Sequence, residues 1–286
     1  MSRATVSGRG TSMMLHDLFA VRRPLIACIH LLPLPGAPRY AGSMRAVYDT
    51  ALAEAALFAR YAVDGLIVEN FRDAPFYPQT LPAETVAALA AVTREIVRAV
   101  TLPVGVNALR NDAQAALAVA TAAAADFIRV NVHMGAVVAD QGVIQGTAHA
   151  TLRLRAALHA QVQIWADVGV KHATPLVDRG LGTEARDVTE RGLADALIVS
   201  GDYTGAATSL TDVEIVRQHT PLPVLIGSGM TPANLAAVYP HVDGFIVGSY
   251  FKRQGQAEHL VEEERVKRFM EALAVLRQAY AHEERG

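Results

Sequence analysis

Short apolar runs rich in β-branched residues alternate along the chain with longer, alanine-rich amphipathic segments. Such runs bounded by glycine, proline and polar residues are typical of buried strands, and the longer segments are typical of helices. The pattern predicts eight strands, at residues 24–31, 65–71, 103–109, 127–133, 163–170, 196–201, 223–229 and 244–251. It predicts helices at residues 43–61, 82–99, 112–124, 148–160, 180–191, 210–219 and 231–238, and a last one from 258 to about 282.

Alternating strands and helices predict an α/β fold with a parallel sheet. Eight βα units in about 250 residues match the size of a closed (β/α)8 TIM barrel, and an open doubly wound sheet is the alternative. The sequence shows no low-complexity linker and no break in composition. We therefore predict a disordered tail at residues 1–11 and a single barrel domain at residues 12–286, with a short helix at 12–20 before the first strand.

Side-chain alternation predicts which residues face the inside of this barrel. In the fourth strand Arg129, Asn131 and His133 share one face, and apolar residues occupy the other. The outer face of a barrel strand packs against helices and must be apolar, so the polar face is predicted to point inward. The same alternation in the first, second, third and fifth strands places further residues inside: Cys28, His30, Glu69, Asn107, Asp167 and Lys171. These polar groups gather at the carboxyl ends of the strands, where TIM barrels build their active sites.

Three charged residues, Glu69, Arg129 and Asp167, are predicted to face one enclosed space. Burying a charge is unfavourable unless it is paired, so one interpretation is a structural ion-pair network that closes the top of the barrel. The functional interpretation is that a carboxylate serves as acid or base while Arg129 neutralises substrate charge. Asn107 and Asn131 both donate and accept hydrogen bonds, which suits the hydroxyl groups of a sugar.

Two glycine-serine loops follow the last two predicted strands. Gly227, Ser228 and Gly229 end the seventh strand, and Gly248 and Ser249 follow the eighth. Glycines let backbone N–H groups approach an anion closely, and the N-terminus of a following helix adds a favourable dipole. The loops at these two places form the usual phosphate site of a TIM barrel. We predict phosphate binding there, with tight turns that bind nothing as the alternative.

Lys171 lies just past the fifth strand, at the predicted rim of the barrel. It is a candidate catalytic residue, either as a Schiff-base nucleophile with a lowered pKa or as a point charge for a substrate anion. A rim lysine without a role is the third interpretation. The glycine-containing loop at residues 133–146 is either a lid that closes over substrate or an ordinary connection.

Other polar residues at strand ends are predicted to contact substrate: His30, His133, His172 and Ser200. No cofactor is predicted. A divalent metal is an open alternative, held by His30 or His172 together with one of the two carboxylates. The sequence contains no HxH or HExxH spacing that would support it.

Composition and charge narrow the class of protein further. The chain has 286 residues, 51% hydrophobic and 19% charged, with a net charge of −2. This composition excludes a disordered chain, and the charge disfavours nucleic acid as a partner. Cys28 is the single cysteine, and no apolar run reaches the roughly 18–20 residues of a membrane span. His16 and Asp17 interrupt the apolar stretch near the N-terminus, so we expect no signal peptide and a cytoplasmic protein, either a monomer or a homo-oligomer.

Several long motifs resemble the BtpA/SgcQ family, in order and from residue 24 to about 269. They include His30-Leu-Leu-Pro-Leu-Pro-Gly36, Val68-Glu-Asn-Phe71, Phe127-Ile-Arg-Val-Asn-Val-His133 and Ala166-Asp-Val-Gly-Val-Lys-His-Ala173. The resemblance implies a ribulose-phosphate-binding-like barrel. The family is named after a cyanobacterial protein needed for photosystem I accumulation, and other members resemble parts of carbohydrate-utilisation systems. Gly169 departs from the family pattern, where a bulkier residue is common, which implies a different substrate.

Two functions remain as hypotheses. The first is an enzyme that acts on a small phosphorylated sugar or nucleoside-like compound by isomerisation, epimerisation or aldol chemistry. The second is a non-enzymatic factor that supports photosystem I biogenesis or stability through protein contacts. Polar groups gathered inside a barrel mouth favour the first, because a scaffold does not require them.

Overall fold

The structure is a computed structural model that describes residues 15–170, 172–201 and 208–283. All eight predicted strands form, and they close into a parallel barrel in their order along the chain. The barrel strands are β1 (Leu25–His30), β2 (Gly65–Glu69), β3 (Val104–Asn107), β4 (Phe127–Val130), β7 (Gln163–Val168), β9 (Ala196–Val199), β10 (Val224–Ile226) and β11 (Gly244–Val247). The predicted TIM barrel is confirmed, and the alternative of an open sheet is wrong. The tail predicted at residues 1–11 lies outside the described residues.

Helices occupy the connections between the barrel strands, as predicted. They are α1 (Leu15–Leu18), α2 (Met44–Arg60), α3 (Ala83–Ala99), α4 (Ala113–Ala123), α5 (Ala148–Ala157), α6 (Leu181–Glu190), α7 (Leu210–Arg217), α8 (Pro232–Val238) and α9 (Glu263–Glu283). Asp112 caps α4, and Thr231 caps α8 in a capping box with Asn234, as their sequences indicate. The last helix begins at Glu263 rather than at 258, because a short turn and a bridge between Lys252 and Val261 occupy the preceding residues.

Large side chains fill the amino-terminal half of the barrel interior. Trp165 and Phe127 stack there with their ring centroids 3.7 Å apart, and both are fully buried. A Cβ atom at Gly105 would lie 2.1 Å from the Phe127 ring, so glycine at this position makes room for the stack. Phe19, which follows α1, packs on Trp165 at a centroid distance of 6.2 Å. This end of the barrel is therefore packed, which leaves the carboxyl ends of the strands for a site.

Four aspartates fix alternate strands in the barrel through a repeated contact. Each lies directly before a strand and accepts a hydrogen bond from the first backbone N–H groups of the preceding barrel strand. The pairs are Asp64 with Leu25, Asp126 with Val104, Asp195 with Ile164 and Asp243 with Val224, at 2.7–2.9 Å. The first backbone N–H groups of a buried strand need hydrogen-bond acceptors, and these aspartate carboxylates provide them. The repeat ties the eight βα units together in pairs.

The connection after β4 contains strands of its own. β5 (Ala136–Ala139) and β6 (Gly142–Gln145) form an antiparallel hairpin, and β8 (Ala173–Pro175) pairs with β5. The loop considered at residues 133–146 is thus mostly a hairpin, and β8, from the connection after β7, adds a third strand to it. Its apolar underside, with Val137 and Ile144, is buried together with Val132 and Val170.

Within the described ranges, no helix combines the length and the apolar character that crossing a membrane requires.

Candidate active site

The predicted polar residues meet at the carboxyl end of the barrel. Glu69 and Asn107 end β2 and β3 and are register partners, and His30 ends β1 as the register partner of Glu69. Arg129 on β4 is the register partner of Trp165 on β7, and Asp167 follows Trp165 by two residues. Side-chain alternation brings these groups to one space, as the sequence predicted. Their exposed fractions are low: His30 4%, Glu69 5%, Asn107 2%, Arg129 3% and Asp167 2%.

Arg129 and Asp167 form a bidentate ion pair at the centre of the site. Arg129 Nε and Nη2 lie 2.9 Å from Asp167 Oδ1 and Oδ2, respectively. Burial alone would lower the pKa of Arg129, but the Asp167 carboxylate, with help from Glu69, raises it above its ordinary value. Asn131 Nδ2 also donates to Asp167 Oδ2 at 2.9 Å, and the Asp167 side chain has no exposed area. Asp167 is thus a fixed partner of two site residues.

Glu69 has looser contacts than Asp167. Its Oε1 accepts a hydrogen bond from Asn107 Nδ2 at 3.2 Å and lies 3.8 Å from Arg129 Nη1. Its Oε2 lies 3.6 Å from His30 Nε2, which is too long for a strong hydrogen bond. His30 Nδ1 donates to the backbone carbonyl of Ala257 at 2.9 Å, and the His30 ring stacks on Phe71. Glu69 is therefore held less tightly in the site than Asp167.

The two glycine-serine loops and the charged residues line a common pocket. We call the residues of these loops the glycine cup: Gly227, Ser228, Gly229, Gly248 and Ser249. They enclose about 30 Å³ together with Cys28, His30, Glu69 and Arg129. A wider space of about 500 Å³, the mouth pocket, shares Glu69, Phe71 and Arg129 with it and extends to Asn107 and Asn131. A molecule bound across both pockets would contact the cup at one end and Glu69 in the middle.

Two positions of the cup favour glycine, Gly227 because its surroundings leave little space for a side chain and Gly229 because of its backbone conformation. A Cβ atom at Gly227 would lie 2.5 Å from Ser200 Oγ and 3.0 Å from Arg129 Nη2. Gly229 has a φ of +73°, a conformation that favours glycine. Ser228 Oγ accepts a hydrogen bond from Gly201 N–H at 2.9 Å, which joins the cup to the loop after β9. Ser200 accepts a long hydrogen bond from Arg129 Nη2 at 3.3 Å, so it supports the arginine.

The remaining predicted site residues divide into three cases. His172 lines the rim of the mouth pocket. Lys171 lies outside the described residues. His133 does not face the barrel mouth, so that expectation is wrong: its Nε2 donates to the Gly192 carbonyl, at 2.8 Å, in the turn after α6. Strand β4 ends at Val130, and the alternation of side chains does not extend to His133.

Residues without a predicted role also line the mouth pocket. Arg110 is 6% exposed. Burial lowers its pKa below the ordinary value, although the charge of Asp167 opposes this effect. Phe71 and Phe76 form an apolar wall, and Asp140 and Gln141 reach the pocket from the turn of the hairpin. Arg110 lies beyond Asn107, the last residue of β3, where the alternation of side chains no longer predicts direction.

Comparison with known proteins identifies the family. The model of the BtpA family matches residues 21–275. The chain belongs to the BtpA family. Photosystem I biogenesis protein BtpA of Synechocystis is 44% identical over 263 residues, which cover 92% of each chain. An uncharacterized BtpA relative from Thermococcus kodakarensis is 43% identical over 258 residues, which cover 90% of this chain and 98% of that protein.

A solved structure of an enzyme has a similar fold. Phosphoribosyl anthranilate isomerase from Thermus thermophilus matches with a TM-score of 0.54 and 14% sequence identity, over 88% of this chain and 99% of its own. At that identity the similarity concerns the fold. The predicted family and the predicted (β/α)8 fold are both confirmed.

Proposed function

We propose that this protein is an enzyme that transfers protons on a small phosphorylated sugar or nucleoside-like compound, in an isomerase, epimerase or aldolase type of reaction. One observation carries the proposal: the glycine cup and Glu69 line the same pocket, beside the buried charge of Arg129. Backbone amides of glycine-rich loops are suited to a phosphate group. A compound held there by its phosphate would place its carbonyl and hydroxyl carbons over Glu69.

In this proposal Glu69 moves the proton, and Arg129 stabilises negative charge that develops on the substrate. Asp167, the alternative base that the sequence offers, holds Arg129 and Asn131 in place instead. Because Asn131 Nδ2 is used by Asp167, its Oδ1 is directed to accept a hydrogen bond, and this buried atom has no partner among the described residues. Asn131 would therefore recognise a substrate hydroxyl, and Asn107 orients Glu69.

The role of Lys171 is proposed from its sequence position alone. We propose a point charge for a substrate anion, because Lys171 follows the last residue of β7, Val168, by three positions in the sequence. Borohydride added together with a substrate traps a Schiff base as a stable adduct. We expect no adduct on the wild-type protein, and an adduct that Lys171→Met removes would assign the nucleophilic role.

The experiment that tests the phosphate site is a thermal shift with inorganic phosphate and a panel of sugar phosphates. A ligand at 100 times its dissociation constant adds about 2.7 kcal/mol to the free energy of unfolding. Ser249→Asp places a negative charge in the cup and should abolish the shift. Ser209→Asp is the matched control, because Ser209 caps α7 on the surface and aspartate is also a good cap. An equal shift in both variants would contradict the proposed phosphate site.

A non-enzymatic role in photosystem I biogenesis is the second candidate, and the name of the Synechocystis relative favours it. Expression of this chain in a cyanobacterial strain that lacks its own BtpA separates the two functions. If Glu69→Gln restores photosystem I as well as the wild type does, protein contacts are sufficient. If only the wild type restores it, the chemistry of the pocket is required.

A further inference from the structure

Three different ligand-type side chains converge at the inner end of the glycine-cup pocket. A sulfur, a nitrogen and an oxygen atom of Cys28, His30 and Glu69 all lie within 4.8 Å of one another. The side chains of Cys28 and His30 point to the same face of β1, and Glu69 is the register partner of His30 on β2. All three residues are at most 5% exposed. The geometry of the barrel thus fixes the set without a flexible loop.

We propose that Cys28, His30 and Glu69 bind a divalent transition metal of the zinc class. Thiolate, imidazole and carboxylate are the ligands that Zn²⁺ takes in proteins, whereas Mg²⁺ and Ca²⁺ prefer oxygen ligands alone. Three protein ligands leave a fourth position for water or substrate, which is the composition of a catalytic zinc site. That position would open toward the glycine cup, since all three residues line its pocket.

Hydrogen bonds hold His30 and Glu69 in orientations suited to metal binding. His30 Nδ1 donates to the Ala257 carbonyl at 2.9 Å, which places the ring's lone pair on Nε2, the atom that faces Glu69. A hydrogen bond of this kind, from the other ring nitrogen of a ligand histidine to a carbonyl, is usual around metal sites. Asn107 holds Oε1 of Glu69, and Oε2 is the oxygen on the side of His30.

The charges of the site are compatible with a dication. Arg129 is neutralised by Asp167, to which it is bound through two nitrogens. The contact of Arg129 with Glu69 is on Oε1, at 3.8 Å, and not on the oxygen nearest His30. A thiolate at Cys28 and the carboxylate of Glu69 together carry two negative charges, which balance those of the metal.

This inference goes beyond the proposed function and does not depend on it. With a metal bound, Glu69 would act as a ligand, and a water on the metal would take over the proton transfer that the proposed function assigns to the Glu69 carboxylate of metal-free protein. Metal binding is a property of Cys28, His30 and Glu69 alone, and the phosphate test above can be performed on metal-free protein. Failure of one proposal is therefore distinguishable from failure of the other.

The test is a titration of chelator-treated protein with Zn²⁺ against a chromophoric competitor. We expect one Zn²⁺ per chain. Loss of an outer partner of a metal ligand costs about 10–100-fold in affinity, so Cys28→Ser, His30→Gln and Glu69→Gln should each cost at least that much. His16→Gln is the matched control, because the His16 side chain is 78% exposed at the opposite end of the barrel, and it should bind as the wild type does.

Two further measurements keep the test decisive if a variant folds poorly. Co²⁺ bound to wild-type protein should show a thiolate charge-transfer band, which identifies Cys28 as a ligand in the intact protein. Zn²⁺ binding should also release the thiol proton, so affinity should rise with pH. Absence of stoichiometric binding, or unchanged affinity in Cys28→Ser and Glu69→Gln, would overturn the proposal and leave His30 and Glu69 as a buried polar pair.

Discussion

Asp167 binds Arg129 through both of its carboxylate oxygens, and no part of the Asp167 side chain is exposed. This relationship separates the two carboxylates of the barrel mouth. One is fully engaged in holding a cation in position, and the other, Glu69, lines the open pockets. A buried pair of this kind makes the geometry of the site dependent on both members.

Asp167→Asn should destabilise the protein. The substitution keeps the size of the side chain but leaves Arg129 as a buried charge without its partner, which commonly costs about 3–5 kcal/mol. Urea unfolding followed by circular dichroism measures the loss. Asp187→Asn is the control, because its partner Arg179 is 60% exposed and such pairs contribute at most about 1 kcal/mol. Equal losses in the two variants would show that the buried pair does not stabilise the fold.

Glu69→Gln should lower kcat by about 10²–10⁴-fold once a turnover substrate is known, since positioned acids and bases contribute that much. Glutamine has the shape of glutamate and can still contact Asn107, so we expect the free energy of unfolding to change little. Steady-state kinetics of the wild type, Glu69→Gln and the surface control Glu95→Gln measure the effect. Full activity in Glu69→Gln would remove Glu69 from the mechanism.

Regular alternation explains why much of this site could be predicted from the sequence. Within a strand the side chains point alternately to either face, so the apolar residues beside Arg129 and Asp167 determined that both point inward. The structure brings these two residues together at 2.9 Å. The loops after the last two strands of a TIM barrel lie side by side at the carboxyl end of the barrel, so the glycines in them could also be predicted to line one pocket.

The same reasoning fails where the strands end. His133 lies beyond Val130, the last residue of β4, and its ring contacts Gly192 instead of the barrel mouth. Arg110 reaches the mouth pocket from the connection after β3, where no periodicity applies. The bonds of Asp64 and its three equivalents link residues far apart in sequence, and a single aspartate before a strand does not reveal its acceptor role.

Gly105→Ala should destabilise the barrel, because the added methyl group would lie 2.1 Å from the Phe127 ring. Overpacking of this kind typically costs about 1–3 kcal/mol. Phe127→Leu should compensate in the double variant, since a smaller side chain yields the space. A double-mutant cycle measured by urea unfolding gives the coupling, and additive losses would contradict the steric explanation.

His133 is the group whose titration should link stability to pH. The residue is 1% exposed, its Nδ1 has no hydrogen-bond partner among the described residues, and burial lowers its pKa below the ordinary value of 6.5. In the folded protein the neutral ring is therefore favoured. The unfolded chain binds the proton more readily, so this group stabilises the fold above pH 6.5 and that stability is lost as the pH falls below it.

His133→Gln should remove this acid sensitivity, because glutamine retains an N–H that can donate to the Gly192 carbonyl but does not titrate. Below the unfolded pKa, the wild type should lose up to about 1.4 kcal/mol per pH unit more than the variant. Urea unfolding of both proteins at several values between pH 5 and pH 8 measures the difference, in which the shared contributions of buried aspartates cancel. His16→Gln, which changes an exposed histidine, should instead follow the wild-type curve. If the His133→Gln and wild-type curves are parallel across this range, His133 is protonated in the folded state as readily as in the unfolded chain.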